Sequence, residues 1–395
     1  MAVVTVMEFL LGAIALGIFL CTAVLFVEIT AAVIGYDTAR PEEGERRPIA
    51  VLMPAHNESA VIATAIRSVL PQLAVQDRLV VIADNCSDDT AVIAAAEGAE
   101  VVVRTDFARR GKGYALDLGV RHLESTPPDI ILIVDADCQV SPGAIDHLVR
   151  LCCKTNRPVQ AIYLMQAAPE ARLNMRIAEF AWLVKNKVRP EGLNRLGLPC
   201  QLTGTGMAFP WEWLSKATLA TGHIVEDLKL GLELARAGAA PLLCPQALVT
   251  SNFPTSWEGI KGQRTRWEHG HLGVILSDAP RLFLDGVRGR DTDLLALALD
   301  LCVPPTALLA LLVVAIWTSC AILFHLTAAT WPLGLASLAA LLMAASVLMS
   351  WRAYGRHIMT FGTLLLSMVY PLWKIPLYLR FLVARQVDWV RSKRD

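Results

Sequence analysis

The chain has 395 residues with 36 basic and 36 acidic side chains, a zero net charge that argues against bulk nucleic-acid binding. It is 54% hydrophobic with a mean hydropathy of +0.47, which calls for membrane segments beside one sizeable folded domain. Its nine cysteines contain no C-x-x-C pair, so they form neither a disulfide framework nor a zinc site, and free thiols place the polar part in a reducing compartment.

Between Glu8 and Glu28 the stretch Phe9 to Val27 carries no charge and is about long enough to cross a bilayer. A cleaved signal peptide would have a basic start, a shorter apolar run and an A-x-A site, so a retained helix within residues 1–37 is expected. Arg40, Arg46 and Arg47 follow it and nothing basic precedes it. The positive-inside rule then puts the next domain in the cytoplasm.

Residues 48–275 alternate in character. Apolar, β-branched runs at 49–55, 78–84, 99–105 and 129–137 predict buried strands, and the stretches between them have helical spacing. That alternation predicts an α/β domain with a mostly parallel sheet, whose ligands sit beyond the carboxyl ends of the strands. Polar clusters stand at those ends: "HNES", "DNCSDD" and "DADCQ".

Asp135 and Asp137 flank one alanine at the end of the most apolar run. Strand alternation would put both on one face, where their oxygens suit a hard divalent ion that also holds a diphosphate. Taken alone, the pair fits a solvated strand end equally well. Lys112 in "ARRGKGYAL" lacks the full phosphate-loop pattern, and reads as a point charge for a diphosphate or as an exposed basic turn. In "VEDLKLGLELARAG" (225–238), Glu226 and Asp227 open a predicted helix, where carboxylates stabilise the dipole unless one serves as a base.

Further on, Gln263, Arg266 and Trp267 stand at i, i+3 and i+4 and share a helix face, fitted to a diphosphate and a sugar ring or to simple packing of the indole. His269 and His271 lack a third metal ligand and read as incidental. In the segment 293–385, apolar blocks run from Leu301 to Phe324 and from Leu333 to Ser350. The link between them has no Lys or Arg, whereas Arg352 and Arg356 follow, as in a crossing out and back. Asp300 and Pro304-Pro305 lie at the mouth of the first block. Ile358 to Trp373 is short and precedes Lys374, Arg380 and Arg385, so it reads as a re-entrant or interfacial hairpin bent near Pro371 and Pro376. A full crossing there would carry the basic tail, 386–395, outside.

"PAHNES", "ADNCSDD", "GKGYAL", "VDADC", "TGTGMAF", "VED" and "QRTRW" occur in one order across residues 48–275. This ordered set resembles membrane-bound family 2 glycosyltransferases, relatives of bacterial cellulose, hyaluronan and poly-N-acetylglucosamine synthases. The resemblance implies a GT-A fold and an inverting transfer of a hexose or N-acetylhexosamine from a UDP-sugar, with Mg2+ or Mn2+. It also implies a multi-pass protein of the bacterial inner membrane, acting on a growing exopolysaccharide or a lipid-linked oligosaccharide.

By motif, Pro54, Ala55, Asn57 and Glu58 match the first nucleotide segment, Asp84 the carboxylate at the uridine, and Lys112 the lysine near the diphosphate. Asp135 and Asp137 match the metal motif, with Asp137 the more direct ligand. Gly204, Thr205 and Gly206 match the acceptor end, Gln263 and Arg266 the diphosphate clamp, and Trp267 the acceptor sugar. Asp227 matches the catalytic base, supported by Glu226, with Val225 where a threonine often stands.

Processive relatives surround a channel with more helices than are read here, which leaves room for other polysaccharide-assembly subunits. A polyprenyl-phosphate sugar transferase is the competing reading, although that family lacks Q-x-x-R-W. An inactive transport or scaffold subunit is a third, against which every expected charged position is filled.

Overall fold

The computed structural model describes residues 2–35, 45–254 and 257–383; Arg40 and the tail 386–395 lie outside them. Helix α1 (Ala2–Ile34) leads into an alternating region with β1 (Ile49–Ala55), α2 (Ile62–Val69), β2 (Arg78–Asp84), α3 (Thr90–Ala96) and β3 (Glu100–Arg104). It continues through α4 (Lys112–Leu123), β4 (Ile130–Ile133), β5 (Gln139–Val140), α5 (Ala144–Thr155) and β6 (Val159–Gln166). Next come α6 (Leu173–Leu183), a π-turn at Val184–Val188, α7 (Arg189–Arg195), β7 (Met207–Pro210), α8 (Trp211–Leu214), α9 (Glu226–Arg236) and β8 (Leu242–Asn252). The remainder is helical: α10 (Trp257–Gly289), α11 (Thr292–Cys302), α12 (Thr306–Thr327), α13 (Thr330–Ser350), α14 (Phe361–Leu366), α15 (Tyr370–Trp373) and α16 (Ile375–Val383).

The strands form one sheet in the order β3-β2-β1-β4-β7-β6-β8-β5. From β3 to β4 all pairings are parallel, as the alternating sequence predicts. Beyond β4 the sheet is mixed: β7 runs antiparallel to both β4 and β6, and β5 runs antiparallel to β8. The N-terminal strands are continuous apolar runs because both faces are covered. Ile49, Val51 and Met53 of β1 join one core with α2 and α5, while Ala50 and Leu52 join a second with α4 and α9. The chain steps outward from β1 to β3 and returns at β4, so the order reverses between β1 and β4, where α/β sheets open a ligand crevice.

Among the described residues, three helical segments are long and apolar enough to cross a membrane: Val4–Ile34, Thr306–Thr327 and Thr330–Gly355. Helix α1 packs along α13, α12 and α7, and Phe180 and Leu183 of α6 enter the same apolar cluster, joining the domain to the candidate spans. Two sequence-read limits move. Glu28, expected to bound the first span, lies inside α1 and is buried, because Arg189 of α7 donates from Nε to its Oε2 at 2.6 Å. The block expected to start at Leu301 is broken at Val303–Pro305, where two prolines cannot continue a helix, so the apolar helix begins at Thr306. The stretch after Ile358 is divided into α14, α15 and α16 and is not among the three candidate spans.

Arg189 is the centre of a buried network. Its Nη2 donates to the Asp300 carbonyl at 2.8 Å and to Asp300 Oδ1, and Gln201 Nε2 donates to Asp300 Oδ2 at 2.5 Å. A guanidinium suits this position, since its planar fork serves two carboxylates at once. Gly192, on the next turn of α7, allows the approach: a Cβ there would stand 1.9 Å from the Glu28 carbonyl oxygen.

Candidate active site

Beyond the carboxyl ends of β1, β2 and β4 lies a cleft of about 270 Å3. Pro54 and Ala55 line it from the end of β1 and Glu58 from the turn after it, Asp84 from β2, and Asp135 and Asp137 from the turn after β4. Lys112, Gly204, Asp227, Gln263, Arg266 and Trp267 complete the sequence-read set around it. Asn57, Thr205 and Gly206 are not among the lining residues; they build what stands behind it.

Asn57 adopts a left-handed φ of 56° and ties two loops together. Its Nδ2 donates to Ser87 Oγ at 3.1 Å, and its Oδ1 accepts from Ser87 N at 2.7 Å. Thr205 is fully buried, and its Oγ1 accepts from the Asp135 backbone N–H at 3.0 Å, fixing the aspartate turn from below. Gly206 accepts from Ala161 N at 2.8 Å. Asp84 has one oxygen engaged already: Oδ1 accepts from Arg104 Nη1 at 2.6 Å and from Asn85 Nδ2 at 2.9 Å.

The paired aspartates do not share a strand face. Strand β4 stops at Ile133, before either residue, because the chain turns there and the Cys138 N–H closes the turn on the Asp135 carbonyl at 3.0 Å. The turn achieves what alternation was expected to do: carboxylate oxygens of Asp135 and Asp137 and the Cys138 sulfur all fall within 4.8 Å of one another. Burial first, then Asp137 and Asp135, push the Cys138 thiol well above its usual range, and its Sγ donates to Asp137 Oδ1 at 3.5 Å. Two carboxylates on a tight turn fit a hard cation such as Mg2+ or Mn2+.

Facing them, Lys112 at the start of α4 pairs with Asp135, and its Nζ donates to the Gly204 carbonyl at 2.5 Å. Burial works against its charge, but Asp135, Glu226 and Asp227 outweigh that and hold the ammonium above the ordinary lysine value. Gly204 has a φ of 95°, and a Cβ there would stand 3.2 Å from Asp227 Oδ2 and 3.9 Å from Lys112 Nζ. Only glycine lets the chain pass between the cation and the carboxylate.

Glu226 and Asp227 form the first turn of α9, as the sequence predicts. Burial, and then the charge of Asp227, push Glu226 up to about 7 against the pull of Lys112. Burial also raises Asp227, opposed by Lys112, by the backbone N–H of Leu228 and by Lys185. A carboxylate raised in this way holds a proton more firmly than an exposed aspartate, as a general base requires.

The far wall contains residues to which the sequence reading gave no role. Trp182, Lys185 and Asn186 come from the end of α6 and the π-turn, Gln201 and Thr203 from the chain before Gly204, and His271 from α10. The rings of Trp182 and Trp267 lie 4.8 Å apart at 39°, and Trp182 Nε1 donates to the Tyr163 carbonyl at 3.0 Å. His269 and His271 diverge. His269 bonds the Leu377 carbonyl at 3.1 Å and meets Phe381 edge-on, whereas His271 lines the cleft. A π-turn within a helix is a frequent mark of a functional wall, but "WLVKNKV" carries no sign of it.

Comparison with known proteins places this cleft in context. A family model described as glycosyltransferase-like family 2 matches residues 46–270. The probable glycosyltransferase YdaM of Bacillus subtilis (strain 168) is 24% identical over 250 residues, covering 60% of this chain and 58% of that protein. The glucosyl-3-phosphoglycerate synthase of Mycolicibacterium smegmatis is 34% identical over 194 residues, covering 46% and 62%. The chain thus spans less than two thirds of the length of these curated relatives. Among solved structures, the mannosyltransferase PcManGT from Pyrobaculum calidifontis, in complex with GDP-Man and Mn2+, aligns with a TM-score of 0.58 at 16% identity. That alignment covers 95% of this chain and all of the other, and speaks to a shared GT-A-like fold.

Proposed function

Because the chain belongs to glycosyltransferase-like family 2, we propose that it is an inverting, metal-dependent transferase using a nucleotide-sugar donor. The donor is a UDP-linked hexose or N-acetylhexosamine, and the acceptor a growing exopolysaccharide or a lipid-linked oligosaccharide at the inner face of a bacterial membrane. The observation that carries this reading is the placement of Asp227. It stands at the start of α9, beside Lys112 and Gly204, in the cleft that also holds the aspartate turn and Trp267.

In the reaction, Asp227 takes the proton from an acceptor hydroxyl as that oxygen attacks the anomeric carbon. The bond from that carbon to the diphosphate oxygen breaks, and its electron pair leaves with the nucleotide. One displacement inverts the anomeric centre and needs no protein nucleophile. Lys112 and Arg266 offer fixed positive charge where the leaving group gains negative charge. Asp135 and Asp137 would hold the divalent cation, Asp137 more directly, and the ion would supply further neutralisation of the diphosphate. Glu226 shapes the field at Asp227 and takes no part in bond making.

The three apolar helices fit a lipid bilayer as partner, with domain 48–275 on its cytoplasmic side and segment 293–385 holding the later helices. Incubating membranes that contain the chain with labelled UDP- and GDP-sugars, with and without Mn2+, tests the reading. Metal-dependent label in organic-soluble or polymeric product is expected. Label that remains in intact donor with every sugar would overturn it.

A further inference from the structure

Among the described residues, eight buried side-chain polar atoms have no hydrogen-bond partner, and three belong to residues lining one wall of the cleft. They are Asn186 Nδ2, Thr203 Oγ1 and His271 Nε2. Asn186 and His271 are only 3% and 5% exposed, so bulk solvent does not serve them. Leaving such an atom unsatisfied is destabilising, and a wall that carries three is incomplete without something to bond.

The three atoms differ in kind, and that limits what completes them. The amide nitrogen of Asn186 donates, and the hydroxyl of Thr203 donates or accepts. The His271 ring also bonds the backbone of Leu301, in the last turn of α11, and burial keeps the ring neutral. Since Nε2 is the nitrogen without a partner, Nδ1 carries the hydrogen to the Leu301 carbonyl and Nε2 presents a lone pair. A phosphate oxygen accepts only and would face that lone pair unfavourably. A hydroxyl group donates as well as accepts and satisfies all three.

Lys185, which also lines the cleft, is held below the ordinary lysine value by burial and by Arg189, against the pull of Asp227, Asp300 and Glu268. Beside it, the paired indoles of Trp182 and Trp267 offer an apolar face to a ring. From Leu301 the chain passes through Pro304-Pro305 into the apolar helix α12, so this wall adjoins the membrane helices.

We propose that Asn186, Thr203 and His271 form a hydroxyl-reading subsite for the terminal sugar ring of a glycosylated acceptor. The subsite rests on the transferase reading and narrows it: the acceptor presents neutral hydroxyl groups here, not a phosphate.

The test uses the full chain in nanodiscs with UDP- or GDP-sugar, and as acceptor probes the octyl glycosides of glucose, galactose, mannose and N-acetylglucosamine beside octyl phosphate. At least one glycoside should be glycosylated with saturable kinetics, and octyl phosphate should not. His271→Phe and Asn186→Leu should each raise the half-saturating glycoside concentration about 10-fold, the size of one lost buried hydrogen bond. His271→Gln, whose amide oxygen accepts, should recover part of that loss. Nucleotide affinity within about threefold of wild type checks that each variant is folded. Wild-type half-saturation in both variants, or octyl phosphate as the better acceptor, overturns the subsite while leaving the transferase reading standing. A wild-type chain that binds neither nucleotide overturns both.

Discussion

Around Asp84 and Asn57 the polar groups satisfy one another: Arg104 and Asn85 share one Asp84 oxygen, and Asn57 and Ser87 bond each other twice. Across the cleft, Asn186, Thr203 and His271 each keep a buried polar atom without a partner. The first side has its geometry set before any ligand arrives, so the nucleotide binding proposed there would have little reorganisation to overcome. The second holds unused hydrogen-bonding capacity that an acceptor recovers on entry.

The largest effect should come where the two sides meet. Asp227→Asn removes the proposed base and should slow transfer by about 10³-fold or more, with nucleotide affinity within about twofold. Single-turnover transfer and a nucleotide titration measure the two separately. A parallel loss of affinity would mean that Asp227 belongs to the donor side and that the division is drawn in the wrong place.

Arg189→Met should come next, because it leaves Glu28 and Asp300 buried without their shared cation, at a cost of about 3 kcal/mol. Thermal unfolding in detergent should show the loss as a lower Tm. Donor affinity at a permissive temperature should survive, since no bond of the network reaches the loops after β1 or β2. If it falls with stability, the two sides are mechanically one.

The smallest effect separates charge from chemistry. Glu226 titrates at about 7 in the folded protein against an ordinary 4.5, so its contribution to stability is present below about pH 4.5 and lost as the pH rises through 7. Glu226→Gln cannot ionise, and should therefore be more stable than wild type by roughly 1 kcal/mol at pH 8.5, allowing for the water that the cleft admits. At pH 4.5 the two should match. A gain of equal size at both pH values would trace to packing and remove the electrostatic account of the Glu226–Asp227 pair.

The side of the cleft built by β1, β2 and β4 was legible in the sequence because each part is local. A buried strand reads as an apolar run, and the turn after it carries the polar cluster, so β1, β2 and the residues from Pro54 to Asp137 could be placed by pattern. Strand alternation was the wrong reason for bringing Asp135 and Asp137 together, although a turn delivered the same result. The mixed half of the sheet was not legible, since β7 finds β4 and β6 through pairings that no local period encodes. The membrane-side wall was hidden for a similar reason. Lys185 and Asn186 owe their position to a π-turn, and His271 stood beside His269 in a pair whose members point to different neighbours. Asp227 needed the whole ordered set of motifs, because two carboxylates at a helix start ordinarily do no more than favour its dipole.

The network at Arg189 also orders events in time. Glu28 precedes Arg189 by 161 residues and Asp300 follows it by 111, so during synthesis the guanidinium meets its first partner long before its second. Domains that emerge from the ribosome fold as units when their own contacts suffice. This one is short of a contact until α11 appears, and α11 is followed at once by the second apolar helix. The sheet domain therefore gains its Asp300 contact only as the next apolar helix is being made, which couples completion of this buried network to synthesis of the second candidate span.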